Sequence, residues 1–406
     1  MKIKNNYIRN LKKEELSFYG YPVKYRLEDY GRVLGRIKRK AQKEDGILSV
    51  YGFGKVSAPG ISDIDLIFVL KEGSKLPPLL KKNYIDDDSK YLVFHPFLIF
   101  TENIFKNIRY IYPSSDYIKI YGRKISIYMP KKHELKKIKT CLVADTILRH
   151  LPVDFLYILL SKKINIRMCL LRLNALSHTF RMFYGISGMK KPVWGKFSRK
   201  VKRLRKNWFQ MNDDAGKDML LGLLKESVYI SSDFVKEFDA FLSKDKNYLL
   251  HVKQRDVLFR GYKARISFAA EWHPDKAISQ MISHFIKHKN FYSILPISLL
   301  KQLCCYSSAQ GRLSRYIRKR LSINCFQEKL DPVLEKRIIN LNEQVELANS
   351  LKHSHFPCFF PLGYKTERGL KNKMILLYVI ITSNSLFRRV LFYIRSTLKK
   401  IAIDSF

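Results

Sequence analysis

Two aspartates set two residues apart, Asp63 and Asp65, are the side chains in this sequence best suited to chemistry, and they stand in the segment Gly60-Ile61-Ser62-Asp63-Ile64-Asp65-Leu66. In an extended strand a two-residue spacing turns both carboxylates to one face, about 7 Å apart along the backbone. Two hard carboxylates held that way suit a divalent cation such as Mg2+ or Mn2+. The apolar residues 66–70 follow directly, so the strand is expected to be buried and the acids to sit at the mouth of a core strand. Upstream, Gly52, Gly54, Lys55 and Ser57 supply what a phosphate-binding turn uses: glycines that let backbone N–H groups approach the oxygens, an ammonium and a hydroxyl. The bland alternative is a glycine-rich hairpin whose two acids are merely solvated or paired with lysine.

The elements that must hold these residues are readable in outline. Between 47 and 129 the pattern is of short β-rich runs at 47–51, 64–70, 91–100 and 124–129, divided by turn signals at Pro59-Gly60 and Gly73-Ser74. Ahead of them, residues 27–43 carry Tyr30, Val33, Leu34 and Ile37 at helical spacing and should pack on the sheet. After Pro130 the runs 138–148, 154–161 and 164–183 have a period near 3.6 and few turn residues, and Asp331-Pro332 opens a further helix. The fold class expected is α+β: an N-terminal mixed sheet with flanking helices over 1–135, a helical region over 136–300 suited to holding an acceptor, and a helical, basic region over 301–406.

On these residues the chain resembles the nucleotidyltransferase superfamily of DNA polymerase beta-like fold, whose hallmark is a Gly-Ser turn followed about ten residues later by Ser-Asp-x-Asp and an apolar strand. The resemblance spans roughly residues 47–130. Gly60 to Leu66 matches closely, whereas Gly52 is followed by Phe53 and Gly54 by Lys55 instead of serine. It implies a metal-dependent enzyme that moves a nucleoside monophosphate from a nucleoside triphosphate to an acceptor. Asp63 and Asp65 would hold Mg2+ or Mn2+, and Gly52, Gly54, Lys55, Ser57 and Ser62 would attend the nucleotide. The family places a third carboxylate on a later neighbouring strand. The expected strand 91–100 has no acid, only His95, and Asp86, Asp87 and Asp88 just precede it. The alternative is a catalytically impaired relative that acts as an interaction module on RNA or an anionic membrane surface.

Composition bounds the partners. The chain has 406 residues, with Lys+Arg 76 against Asp+Glu 35 and a formal net charge of +41, so it calls for a polyanionic neighbour: nucleic acid, anionic lipid or nucleoside triphosphate. Six cysteines without a CxxC pair exclude a disulfide framework and a zinc ribbon, which points to a reducing, cytoplasmic compartment. No secretory signal and no apolar run of membrane-spanning length is evident, although contact with the inner face of a membrane stays open. Between Lys190 and Lys206 lie nine basic residues and no acid, with Trp194, Phe197, Trp208 and Phe209 interleaved or adjacent. Phosphate neutralisation with base stacking on Trp194 is one use of that mixture, and a solvated basic segment is the other. Residues 386–401 read as a basic amphipathic helix, docked or lying on a membrane. The pair His284 and His288, and the group His353, His355 and Cys358, have metal-like spacing, but surface placement is the expectation for both.

Overall fold

Helix Leu27–Ala41 forms where expected because Tyr30, Val33, Ile37 and Ala41 recur on one side and are buried there. In the computed structural model, which describes residues 7–82, 86–95, 97–113, 116–244, 256–260, 264–322 and 330–353, this helix covers a four-stranded sheet. Its strands are β2 (Ile47–Phe53), β3 (Asp65–Leu70), β4 (Leu98–Thr101) and β5 (Tyr117–Gly122), in the order β4-β3-β2-β5; a short strand β1 (Ser17–Tyr19) pairs elsewhere with β6 (Lys163–Asn165). β2 runs antiparallel to both β3 and β5, while β3 and β4 are parallel, so the sheet is mixed.

Alternation along β3 assigns the two sides of the sheet. Ile64, Leu66, Phe68 and Leu70 enter a core shared with helix Leu27–Ala41, whereas Ile67 and Val69 enter the larger core shared with the helical region. Asp65 is in phase with Ile67 and Val69, and Asp63 with it, so the period of two directs both aspartates to the side on which the helical region packs.

Two expected strands differ from the sequence reading. Residues 91–100 yield only Leu98–Thr101, because Asp86 caps a helix, Asp87–Leu92, accepting a hydrogen bond from the Ser89 N–H at 2.8 Å. Residues 124–129 form no ladder. Their backbone is held singly, by the Tyr51 hydroxyl at Ile125 and the Lys106 carbonyl at Tyr128, and the place of that strand is taken by β5 just upstream.

The expected helices appear as Lys132–His150, Val153–Leu160 and Ile166–Ser187, followed by Pro192–Asn207 and Asp213–Ser243. Helix Pro332–Ser350 begins as the Asp-Pro pair predicts, with the Asp331 carboxylate accepting the Val333 N–H at 2.9 Å. The region read as wholly helical also contains a three-stranded sheet of β7 (Asp256–Arg260), β8 (Ala264–Ala269) and β9 (Phe291–Pro296), whose last two strands are parallel and bridged by helix Pro274–His288. The chain is therefore α+β, with a mixed sheet followed by a mostly helical portion. Among the described residues no helix is long and apolar enough to cross a membrane. The amphipathic helix read at 386–401 lies outside the described residues. Cys141 and Cys169 are free thiols and, like Cys305, buried, whereas Cys304 is disulfide-bonded, which the reading of a chain with reduced cysteines did not anticipate.

The aromatic-basic segment is corrected by its packing. Trp194 is 3% exposed and stacks on Phe180 at 5.3 Å, and Phe197, Val201, Leu204 and Trp208 are buried on the same side of helix Pro192–Asn207. Trp194 is core and offers no face to a base. Trp194→Ala is expected to lower stability by about 3–5 kcal/mol, as for other large-to-small core substitutions, with the loss read in urea unfolding.

Candidate active site

The acids stand where the sheet opens. In register, Phe53 of β2 faces Asp65 of β3, so the turn that follows Phe53 lies beside the carboxylates. Gly54 has φ +82, and a Cβ there would sit 4.0 Å from Asp65 Oδ2. That contact is an ordinary one; it is the left-handed backbone, which would strain any side chain, that explains glycine. Gly52 lies within β2, and Lys55 and Ser57 are exposed on the turn. The structure thus brings Gly52, Gly54, Asp63 and Asp65 to one end of the sheet.

Burial pushes the Asp65 carboxyl well above the usual carboxylate range, and the neighbouring Asp63 adds to the rise by like-charge repulsion. The charge of Asp63 thus stands close enough to oppose ionisation of Asp65. Two hard carboxylate donors suit a divalent cation; among the described residues no group of three His, Cys, Asp or Glu side chains gathers.

The loop over residues 57–62, which delivers Asp63, is held by side chains from four separate elements. Tyr30 of helix Leu27–Ala41 donates its hydroxyl to the Ser62 carbonyl at 2.6 Å and accepts the Gly60 N–H at 2.9 Å. Burial pushes that phenol up to about 12, so it stays protonated and can donate. Tyr91 donates to the Gly60 carbonyl at 2.7 Å. Arg167, from helix Ile166–Ser187, donates to the Ile61 carbonyl at 3.2 Å and to the Tyr91 carbonyl at 2.7 Å, and its guanidinium lies over the Tyr91 ring at 3.8 Å. Arg205, from helix Pro192–Asn207, donates to Ser57 Oγ at 3.3 Å and to Ser62 Oγ at 3.0 Å. Burial lowers its guanidinium to about 10, against the pull of Asp63, so it remains a cation at neutral pH. Gly60 itself, at φ +81, is pressed against the Val23 carbonyl and the Phe209 ring, where no side chain fits.

This arrangement changes the part played by the serines. Ser62 is buried, and its hydroxyl accepts the Ala58 N–H at 3.1 Å as well as Arg205. It braces the loop and does not face an open nucleotide site. Ser57 is exposed but already engaged by Arg205.

His95 stands beside Asp63. Its Nε2 lies 3.5 Å from Asp63 Oδ2, at the foot of β4, and burial lowers its basicity despite Asp63. Asp86 and Asp88 do not join the pair: Asp86 caps its own helix and meets Arg36 Nε at 2.9 Å, and Asp88 accepts from the Tyr25 hydroxyl at 3.1 Å. Asp87 is exposed on the same helix. An exposed acid that the sequence reading passed over, Asp116, precedes Tyr117, which pairs with Phe53 across the sheet. That places it at the same end as Asp65 but two strands away, about 10 Å at the backbone.

Of the residues set aside earlier, His284 donates its Nε2–H to Asn290 Oδ1 at 2.6 Å and its ring lies 4.6 Å from that of His288, on the helix beside β9. His353 is buried, with Nε2 2.9 Å from the Phe97 carbonyl. His355 and Cys358 lie outside the described residues. No protein-family model, no curated protein and no solved structure matches this chain.

Proposed function

We propose that the chain is a metal-dependent nucleotidyltransferase, moving a nucleoside monophosphate from a nucleoside triphosphate to an acceptor. The observation that carries the reading is the crowded pair Asp63 and Asp65 beside the backbone of Gly54, at the open end of the sheet. Asp65, placed where burial and the charge of Asp63 both oppose its ionisation, lacks a structural reason to be an acid, and a divalent cation supplies one. When bound, Mg2+ or Mn2+ would neutralise charge developing at the α-phosphate. Asp63 and Asp65 would hold it. The turn of Gly52, Gly54 and Lys55 would attend the phosphates through backbone N–H groups and the ammonium, while Ser57 and Ser62 act indirectly by fixing the loop.

Arg205 is a positioning residue in this scheme, since it touches the loop and not the reacting atoms. Arg205→Ala is expected to lower kcat by roughly 10–100-fold while leaving KM for the triphosphate within about threefold, because a small displacement of the acids weakens catalysis more than binding. Arg205→Lys, which keeps the charge but cannot span both serines, should recover only part of the loss. A merely structural role would lower the active fraction and leave KM and the per-site kcat unchanged.

The reading is tested by incubating purified protein with each labelled nucleoside triphosphate, Mg2+ or Mn2+ and a cell extract, then locating the fraction that takes label. Metal-dependent labelling of one acceptor class is expected. The second reading, an impaired relative that serves as an RNA- or membrane-binding module, is favoured by one observation: a histidine, not a carboxylate, stands third beside Asp63. Metal-independent polyanion binding without any labelling would support it.

A further inference from the structure

Helix Pro192–Asn207 has two faces with opposite tasks. Its apolar side, Trp194, Phe197, Val201, Leu204 and Trp208, is buried against the body. Its other side exposes Lys196, Arg199, Arg203 and Lys206, each three or four residues from the next, with Lys200 beside Arg199. At 1.5 Å per residue that row runs about 15 Å along the axis with a cation every 5 Å or so. Lys200 meets Glu226 at 2.9 Å; Lys196, Arg199, Arg203 and Lys206 have no ion-pair partner among the described residues. No acid interrupts 190–206. The row also leads somewhere. Arg205, one residue from its end, reaches Ser57 and Ser62 on the loop that delivers Asp63.

We propose that this outward row is a track for a single-stranded polynucleotide, which it guides toward the acid pair. The part of the proposal that makes the strand an acceptor rests on the nucleotidyl-transfer reading; the part that makes the helix a binding track does not. A row of regularly spaced cations complements a regularly charged phosphodiester chain. A membrane surface fits less well, because interfacial binding of a helix needs its apolar face, and here that face is committed to the core. Residues 354–406 are no internal counterpart: they are rich in lysine and arginine, with Glu367 and Asp404 their only acids. Base stacking by Trp194 has no part in this track.

The test measures binding of fluorescent oligo(U) and oligo(dT) over a range of salt, without metal or nucleotide, by wild-type protein and by two charge-matched variants. One carries Lys196→Ala, Arg199→Ala, Arg203→Ala and Lys206→Ala together. The control carries Lys38→Ala, Arg39→Ala, Lys40→Ala and Lys43→Ala on and after the exposed side of helix Leu27–Ala41. All eight side chains are exposed, so both variants should fold, which thermal melting checks. Loss of four phosphate contacts should flatten the log–log salt slope by about 3 in the first variant and leave the control near wild type. Equal flattening in both variants would mean diffuse attraction and overturn the track, as would binding to phosphatidylserine vesicles but not to either oligonucleotide. Since no transfer is measured, failure of the enzymatic reading leaves this result standing. Labelling of a small-molecule acceptor by a protein that ignores oligonucleotides would sink the track and spare the enzyme.

Discussion

Asp65→Asn is expected to abolish nucleotidyl transfer, by roughly 10²–10³-fold or more, the scale on which loss of one group that stabilises developing charge is felt. The same substitution should leave the protein more stable at neutral pH in the absence of metal. The sign follows from the raised Asp65 carboxyl. A group bound more tightly to its proton in the folded state contributes stability that is fully present below its unfolded pKa, about 3.9, and lost as pH rises through the higher folded value. Asparagine removes that loss, so the stability difference between variant and wild type should widen with pH over this window. Adding Mg2+ should reverse the order. A ligand at a hundred times its Kd stabilises by about 2.7 kcal/mol, and only the protein with both carboxylates gains it. Thermal melts of wild type, Asp63→Asn and Asp65→Asn with and without Mg2+ read this directly; an equal Mg2+ response in all three would mean that the acids do not hold the ion.

Breaking the buried pair Asp145 and Arg337 should strongly destabilise the fold. Arg337 of helix Pro332–Ser350 and Asp145 of helix Lys132–His150 meet at 2.7 Å with side chains 1% and 0% exposed. Arg337 also donates to the Tyr110 carbonyl at 2.5 Å and the Ile111 carbonyl at 3.1 Å, and Tyr306 and Gln302 donate to Asp145 at 2.7 Å and 3.2 Å. Burial pushes the Asp145 carboxyl up, while Arg337, Tyr306 and Gln302 oppose the rise. These bonds tie three helices to the segment that precedes β5. Removing one partner strands a buried charge, so Arg337→Ala or Asp145→Ala should lower stability by about 3–5 kcal/mol in urea unfolding. Replacing both, as Asp145→Leu with Arg337→Met, should lose less than either single change, because an apolar pair leaves no charge stranded. If the double variant is as unstable as the sum of the singles, the network is not a coupled unit.

What could be read in the sequence was local. The Gly60 to Leu66 segment carries its meaning within seven residues, and both the buried strand and the two acids at its mouth are where their alternation places them. Helix Pro332–Ser350 was legible for the same reason, since Asp331 and Pro332 are adjacent starting signals. The brace on the loop was not legible. Arg205 and Arg167 meet residues 57–62 across separations of more than a hundred positions, and in the sequence Arg205 is one of nine cations. A signal existed: Trp194, Phe197, Val201, Leu204 and Trp208 mark one helical side, on which Arg205 also falls, so a wheel drawn over 192–208 would have put that arginine inside and Trp194 in the core. Residues 91–100 misled by composition. Their apolar content fits a strand, but Asp86 with Ser89 three positions on is a helix start, and it carries the backbone away from the sheet until Leu98. The sheet of β7, β8 and β9 stayed hidden because its short runs are bridged by helix Pro274–His288, whose stronger periodicity dominates the stretch.

On the proposed reading, the acid pair serves transfer of the nucleoside monophosphate and not of the terminal phosphate. The measurement that reaches it most directly compares two samples of one triphosphate, labelled at the α- or at the γ-phosphate, incubated with Mg2+ and the acceptor fraction, for wild type and Asp65→Asn. In the wild type α-label should enter the acceptor and γ-label should leave as pyrophosphate in equal amount, and both signals should vanish in Asp65→Asn. Entry of γ-label into the acceptor, or α-label transfer that persists in Asp65→Asn at the wild-type rate, would contradict it.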